Sequence, residues 1–136
     1  MKIFKNLRKI LTEQREENWG KVRQIETESD FQNLLTASRD KPVFLLKHST
    51  RCFSSAKIWH LFKEFAEKES EAEYQMILVI QNRDLSDQIA YKTNIHHESP
   101  QVLLFYKGEV IWHAEHWLIN QNSLISAFQN IKINAA

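Results

Sequence analysis

The chain has 136 residues, 43% of them hydrophobic and 26% charged, with few Gly or Pro; this suits one compact domain and excludes a fibrous or largely disordered chain. The formal net charge is +1 with both signs intermixed, so the bulk electrostatics argue against a nucleic-acid partner. No apolar run reaches the roughly 20 residues that span a bilayer, and "MKIFKNLRKILTEQ" lacks the apolar stretch and cleavage site of a signal peptide, so the expected compartment is the cytoplasm.

In residues 2–14, Ile3, Phe4, Leu7, Ile10 and Leu11 recur at helical spacing between Lys2, Lys5, Arg8 and Lys9. The spacing predicts a basic amphipathic helix packed on the domain, with membrane contact the less favoured role. "EQREENWGK" reads as a join, which divides the chain into residues 1–18, helix and join, and residues 19–136, the domain. "VRQI" (22–25) is a short strand. Ser29 or Asp30 then caps a helix carrying Phe31, Leu34 and Leu35, which stops before Pro42. "VFLL" (43–46) is a buried central strand.

After Cys52, Ile58, Trp59, Leu61, Phe62 and Phe65 keep one apolar face for three turns, predicting a helix that starts at or just after the cysteine. "YQMILVI" (74–80) is the next buried strand, completing a βαβ unit with parallel strands. "DLSDQIAYK" (84–92) is a short helix with Asp84 or Ser86 as its cap. "VLLFY" (102–106), Lys107-Gly108 and "EVIWH" (109–113) form a hairpin, with Gly108 suited to the positive φ of a tight turn. Ser123 caps a last helix bearing Leu124, Ile125, Phe128 and Ile131 on one face.

This order is that of a thioredoxin-like α/β domain, a central mixed β-sheet flanked by helices, with an extra N-terminal helix. A cysteine at a strand-to-helix junction and Pro100 just before the hairpin coincide with that fold's two active-site positions.

Cys52 is the chain's one cysteine, so any disulfide it forms is with another molecule. A thiolate is the nucleophile, and an unperturbed thiol of pKa about 8.5 is little ionised near neutral pH. A helix N-terminus favours the thiolate, and Lys47, His48 and Arg51 add donors nearby in sequence, so a lowered Cys52 pKa is expected. Three residues on, Ser55 makes the motif CxxS where dithiol thioredoxins have CxxC. Its hydroxyl can donate to a sulfur and cannot close a disulfide, which implies monothiol chemistry. The competing reading makes Cys52 a small buried hydrophobe. Pro100, after Ser99 at a strand start, removes a ladder donor and, if cis, exposes the Ser99 backbone to an extended ligand.

His96, His97, His113 and His116 could join Cys52 around zinc, but their spacing does not support a metal site, and none is expected. Trp112 and Trp117, in "VIWHAEHW", read first as packing residues.

Taken together, "LLKHSTRCFSS" and "HHESPQVLLFYKGEVIWHAEHW" resemble the YtxJ family of monothiol bacilliredoxin-like proteins over residues 19–131. The resemblance implies a thioredoxin fold with Cys52 as nucleophile and Pro100 as the cis-proline. It further implies no bound cofactor, a low-molecular-weight thiol such as bacillithiol as co-substrate, and S-thiolated proteins as partners. Arg51, Phe53, Ser99 and Pro100 are the substrate-binding candidates, and Cys52 and Ser55 the catalytic ones. Where the family usually has Pro after its cysteine this chain has Phe53, which sets an apolar side chain beside the sulfur. The expected activity is monothiol thiol-disulfide oxidoreduction. The alternative is a non-catalytic thioredoxin-fold module that binds a protein through the Pro100 edge.

Overall fold

A computed structural model describes residues 19–51 and 53–135. The helix expected over 2–14 and Cys52 itself lie outside the described residues. The elements are β1 (Val22–Gln24), α1 (Glu28–Ala37), β2 (Val43–His48), α2 (Phe53–Lys68), β3 (Glu73–Leu78), α3 (Arg83–Thr93), β4 (Gln101–Tyr106), β5 (Glu109–Glu115), a 3-10 turn (His116–Leu118) and α4 (Gln121–Ala135).

The five strands form one sheet in the order β1-β3-β2-β4-β5. β3 pairs in parallel with β1 and β2, whereas β4 runs antiparallel to both β2 and β5. β2 is therefore central, and all six of its residues are buried. A strand covered on both faces explains why its sequence is an unbroken apolar run and not an alternation.

Side-chain alternation divides β2 between two cores. Phe44 and Leu46 pack with Ile58, Phe62 and Phe65 of α2 and with Leu124 and Phe128 of α4. Val43 and Leu45 pack on the other face with Phe31 and Leu34 of α1 and Leu85 and Ile89 of α3. In the first core Phe44 stacks on Tyr74 with ring centroids 5.6 Å apart and meets Phe65 edge-on at 5.5 Å. Such pairs contribute about 0.5–1.5 kcal/mol beyond area burial.

Several element ends differ from the sequence reading. α1 is capped by Thr27, whose hydroxyl accepts from Asp30 N while the Asp30 carboxylate accepts from Thr27 N. Asp30 thus completes the capping box from inside the first turn. Asn82 precedes α3 without a side-chain cap, and Ser86 lies within the helix, its N–H donating to Asn82 O. At α4, Asn120 and Ser123 exchange hydrogen bonds, so Ser123 supports the helix start from one turn in. Ile125, expected on the packed face, is exposed. β2 runs two residues beyond Leu46, which brings Lys47 and His48 into the sheet.

The β4–β5 hairpin turns through Lys107 at φ 55° and Gly108 at φ 80°. Positive φ at both central residues matches the twist of the flanking strands. Ser38, after α1, anchors this tip: its O accepts from Lys107 N and its Oγ from Gly108 N.

Candidate active site

Because β4 is antiparallel to β2, the start of β4 meets the end of β2: Gln101 lies opposite Lys47. Pro100 is consequently at the same end of the sheet as the turn that leads from β2 into α2. The Ser99–Pro100 peptide is cis, and Pro100 O accepts from His116 N at 3.0 Å.

α2 begins at Phe53, the residue after Cys52 in sequence, so its first N–H groups and positive dipole end are presented at this junction. Ser55 sits in that first turn, fully buried, and its Oγ has no hydrogen-bond partner among the described residues. Arg51 is exposed in the preceding turn.

Of the three cationic groups that the sequence places ahead of Cys52, two are altered by burial. His48 is buried, stacks on Trp59 at 5.4 Å, and has its pKa lowered by desolvation, so its neutral form is favoured. Lys47 points to the opposite face, where its Nζ bonds to Ser86 O at 3.3 Å and to His97 Nδ1 at 3.1 Å. Desolvation first, then the nearby Arg83 charge, pulls its pKa down to about 8, against a raising effect of Asp87. Only Arg51 remains an exposed cation.

His97 is engaged with Lys47 and His113 with Glu115, while His116 and His96 share the Glu98 carboxylate at 3.0 and 3.9 Å. Among the described residues no three His, Asp or Glu groups are placed to hold a metal ion. Trp112 packs half-buried on the α2 core, whereas Trp117 is 82% exposed in the 3-10 turn that starts at His116. On the α2 face a cleft of about 720 Å³ includes His48, Thr50, Trp59 and Leu78 in its lining. No helix among the described residues is long and apolar enough to cross a membrane.

The contact that sequence reasoning missed is the Lys47–His97–Gln101 cluster. Its signal was a lysine continuing an apolar strand, a residue type almost never fully buried without partners.

The family model of the monothiol bacilliredoxin BrxC matches residues 23–124, which includes Cys52, Ser55 and Pro100. The chain belongs to this family. A solved structure described as a candidate oxidoreductase with a thioredoxin fold is 37% identical, aligns over 79% of this chain and 94% of its own, and superposes with a TM-score of 0.73. Thioredoxin f from spinach chloroplast, short form, is 18% identical over 83% of this chain and 95% of its own, with a TM-score of 0.68. A poplar thioredoxin h mutant is 22% identical over 82% of this chain and 83% of its own, at 0.69. The last two establish the fold alone. Family and fold together make the protein a thioredoxin-like thiol oxidoreductase, and the resemblance carried by "KHSTRC" and "HESPQ" is borne out as membership among the bacilliredoxins.

Proposed function

We propose that the protein is a monothiol oxidoreductase that removes a low-molecular-weight thiol, such as bacillithiol, from protein mixed disulfides. Ser55 carries the reading. It is a buried hydroxyl, unpartnered among the described residues, in the first turn of α2 and three residues after the chain's one cysteine. There it can donate to a sulfur anion, and it cannot form the disulfide that a second cysteine would.

In the proposed reaction the Cys52 thiolate attacks the sulfur of the small thiol, forming a new disulfide as the old one breaks. The protein thiolate leaves and takes a proton from solvent. A second low-molecular-weight thiolate then attacks the small-thiol sulfur of the adduct, releasing the Cys52 thiolate and a small-molecule disulfide. Electrons are conserved through both exchanges, and no bound cofactor is needed. Arg51 is suited to acidic groups of the small thiol, and the cleft beside His48 and Thr50 has room for it. Phe53 flanks the sulfur in sequence, and the Ser99 backbone with Pro100 offers an edge for the protein half. The reaction belongs in the cytoplasm, where thiol pools are kept reduced.

Intact-mass spectrometry after exposure to bacillithiol and glutathione disulfides tests this: one adduct, lost in Cys52→Ser, is expected. No adduct, together with a Cys52 pKa at or above about 8.5 from alkylation rates, overturns it. That result would favour the non-catalytic protein-binding reading, for which the exposed Trp117 and Leu118 near Pro100 are the supporting observation.

A further inference from the structure

Lys47 is fully buried in the central strand. An ammonium in such a place is costly unless its donors are used. Lys47 uses them on two different elements, Ser86 O in α3 and His97 Nδ1 in the segment before Pro100. Opposite it on β4, Gln101 is also fully buried, and its Nε2 donates to His96 O and to Glu115 Oε1, each at 3.0 Å. Glu115 is in turn the β5 partner of Gln101. Cross-strand partners share a face, so Lys47, Gln101 and Glu115 make one polar row across three strands. Val43, Leu45, Leu103 and Phe105, farther along the same face of β2 and β4, are apolar.

The row holds two consecutive residues of the segment leading to the cis Ser99–Pro100 peptide, His97 by its ring and His96 by its carbonyl. The backbone hydrogen bonds of that segment lie toward its ends: Ile95 N donates to Ala90 O, and Pro100 O accepts from His116 N. Its middle is tied to the sheet by Lys47 and Gln101.

We infer that Lys47, acting with Gln101, is a positioning residue that sets the Ser99–Pro100 edge for the protein half of a mixed disulfide. The inference rests on the proposed reading of that edge as the protein-binding side. Lys47 is a donor without an acceptor, so His97 Nδ1 accepts and the neutral ring carries its proton on Nε2. The charged groups around the pair are Arg83 and Asp87 of α3 and Glu98 of the segment, with Glu115 of β5 beyond Gln101.

The test compares Lys47→Met, His97→Ala and His97→Asn, whose Oδ1 can accept the same N–H bond. Steady-state kinetics on a protein mixed disulfide are read beside the pH dependence of Cys52 alkylation. Lys47→Met and His97→Ala should raise KM about tenfold with kcat within about twofold, and His97→Asn should restore KM to within about twofold of the unsubstituted protein. The Cys52 pKa should stay where it is. A fall in kcat at constant KM, a moved Cys52 pKa, or no recovery in His97→Asn overturns the inference. His97 is half-buried, so its pair of variants carries the test even if Lys47→Met does not fold. Amide exchange over residues 95–99 reads the positioning without turnover. Faster exchange in His97→Ala than in His97→Asn is expected, and equal exchange overturns it. If the unsubstituted protein fails to reduce mixed disulfides while the exchange difference persists, the proposed function falls and the positioning role stands.

Discussion

Lys47 Nζ stands 3.1 Å from His97 Nδ1, so the end of the central strand is tied to the segment three residues ahead of Pro100. Burial weakens the charged form of both partners: Lys47 is lowered to about 8, and His97 is lowered by desolvation and then by the Lys47 charge.

Because the Lys47 pKa is below its ordinary 10.5 in the folded protein, the unfolded chain binds more protons between about pH 8 and 10.5. The contribution of this group to stability therefore rises with pH through that window. Urea midpoints of the unsubstituted protein and Lys47→Met, compared from pH 7.5 to 10.5, should show the unsubstituted protein gaining on the variant. A constant difference would contradict the lowered pKa.

His48 gives a linkage on the acid side. Its folded pKa lies below the usual 6.5, so the unfolded chain binds the proton first and stability falls as pH drops below that value. His48 Nδ1 is buried without a partner among the described residues, and His48→Phe removes it while leaving a ring to stack on Trp59. The variant should lose less stability than the unsubstituted protein between pH 7 and 5, measured by urea unfolding. Some loss remains, since His97 has the same sign.

Ser55→Ala should raise the Cys52 pKa, as expected when a donor to a thiolate is removed. Stability should change little, because the hydroxyl has no partner among the described residues to abandon. The rate of iodoacetamide alkylation against pH reads the shift, and an unmoved pKa removes Ser55 from the mechanism.

Phe53→Pro restores the residue usual in the family at the first position of α2. A helix tolerates Pro there because that N–H has no intrahelical acceptor and the fixed φ is already helical. The variant should fold with stability within about 1 kcal/mol of the unsubstituted protein by thermal melting. Any change in adduct preference then reports the residue that follows Cys52 in sequence.

Thr27→Ala removes one half of the α1 capping box and should cost about 1 kcal/mol in urea unfolding, without effect on Cys52 alkylation.

Much of this architecture was legible in the chain because the signals are local. The unbroken apolar run at Val43–Leu46 marked a strand covered on both faces, and the stripe from Ile58 to Phe65 marked the packed side of α2. Lys107-Gly108 marked the hairpin. Helix caps were read two to four residues away from their true places, since Ser, Thr, Asp and Asn all compete for them. Which one wins depends on reciprocal bonds such as Thr27–Asp30. Lys47 was read as a strand-end cation because a sequence lists neighbours along the chain and not across the sheet.

By itself the sequence determined the order of strands and helices, the single thiol, the serine three residues beyond it and the proline ahead of the hairpin, because each is set by residue type and spacing. Tertiary structure decided which faces these residues occupy and what they touch. The antiparallel pairing of β2 with β4 brings Pro100 to the end of β2 from which the chain enters α2, and it sets Lys47 beside Gln101. Burial then changes the chemistry of the side chains it encloses, lowering the His48 pKa and committing Lys47 to Ser86 and His97. Desolvation and cross-strand contact depend on distances in space, and those exist only once the sheet has formed.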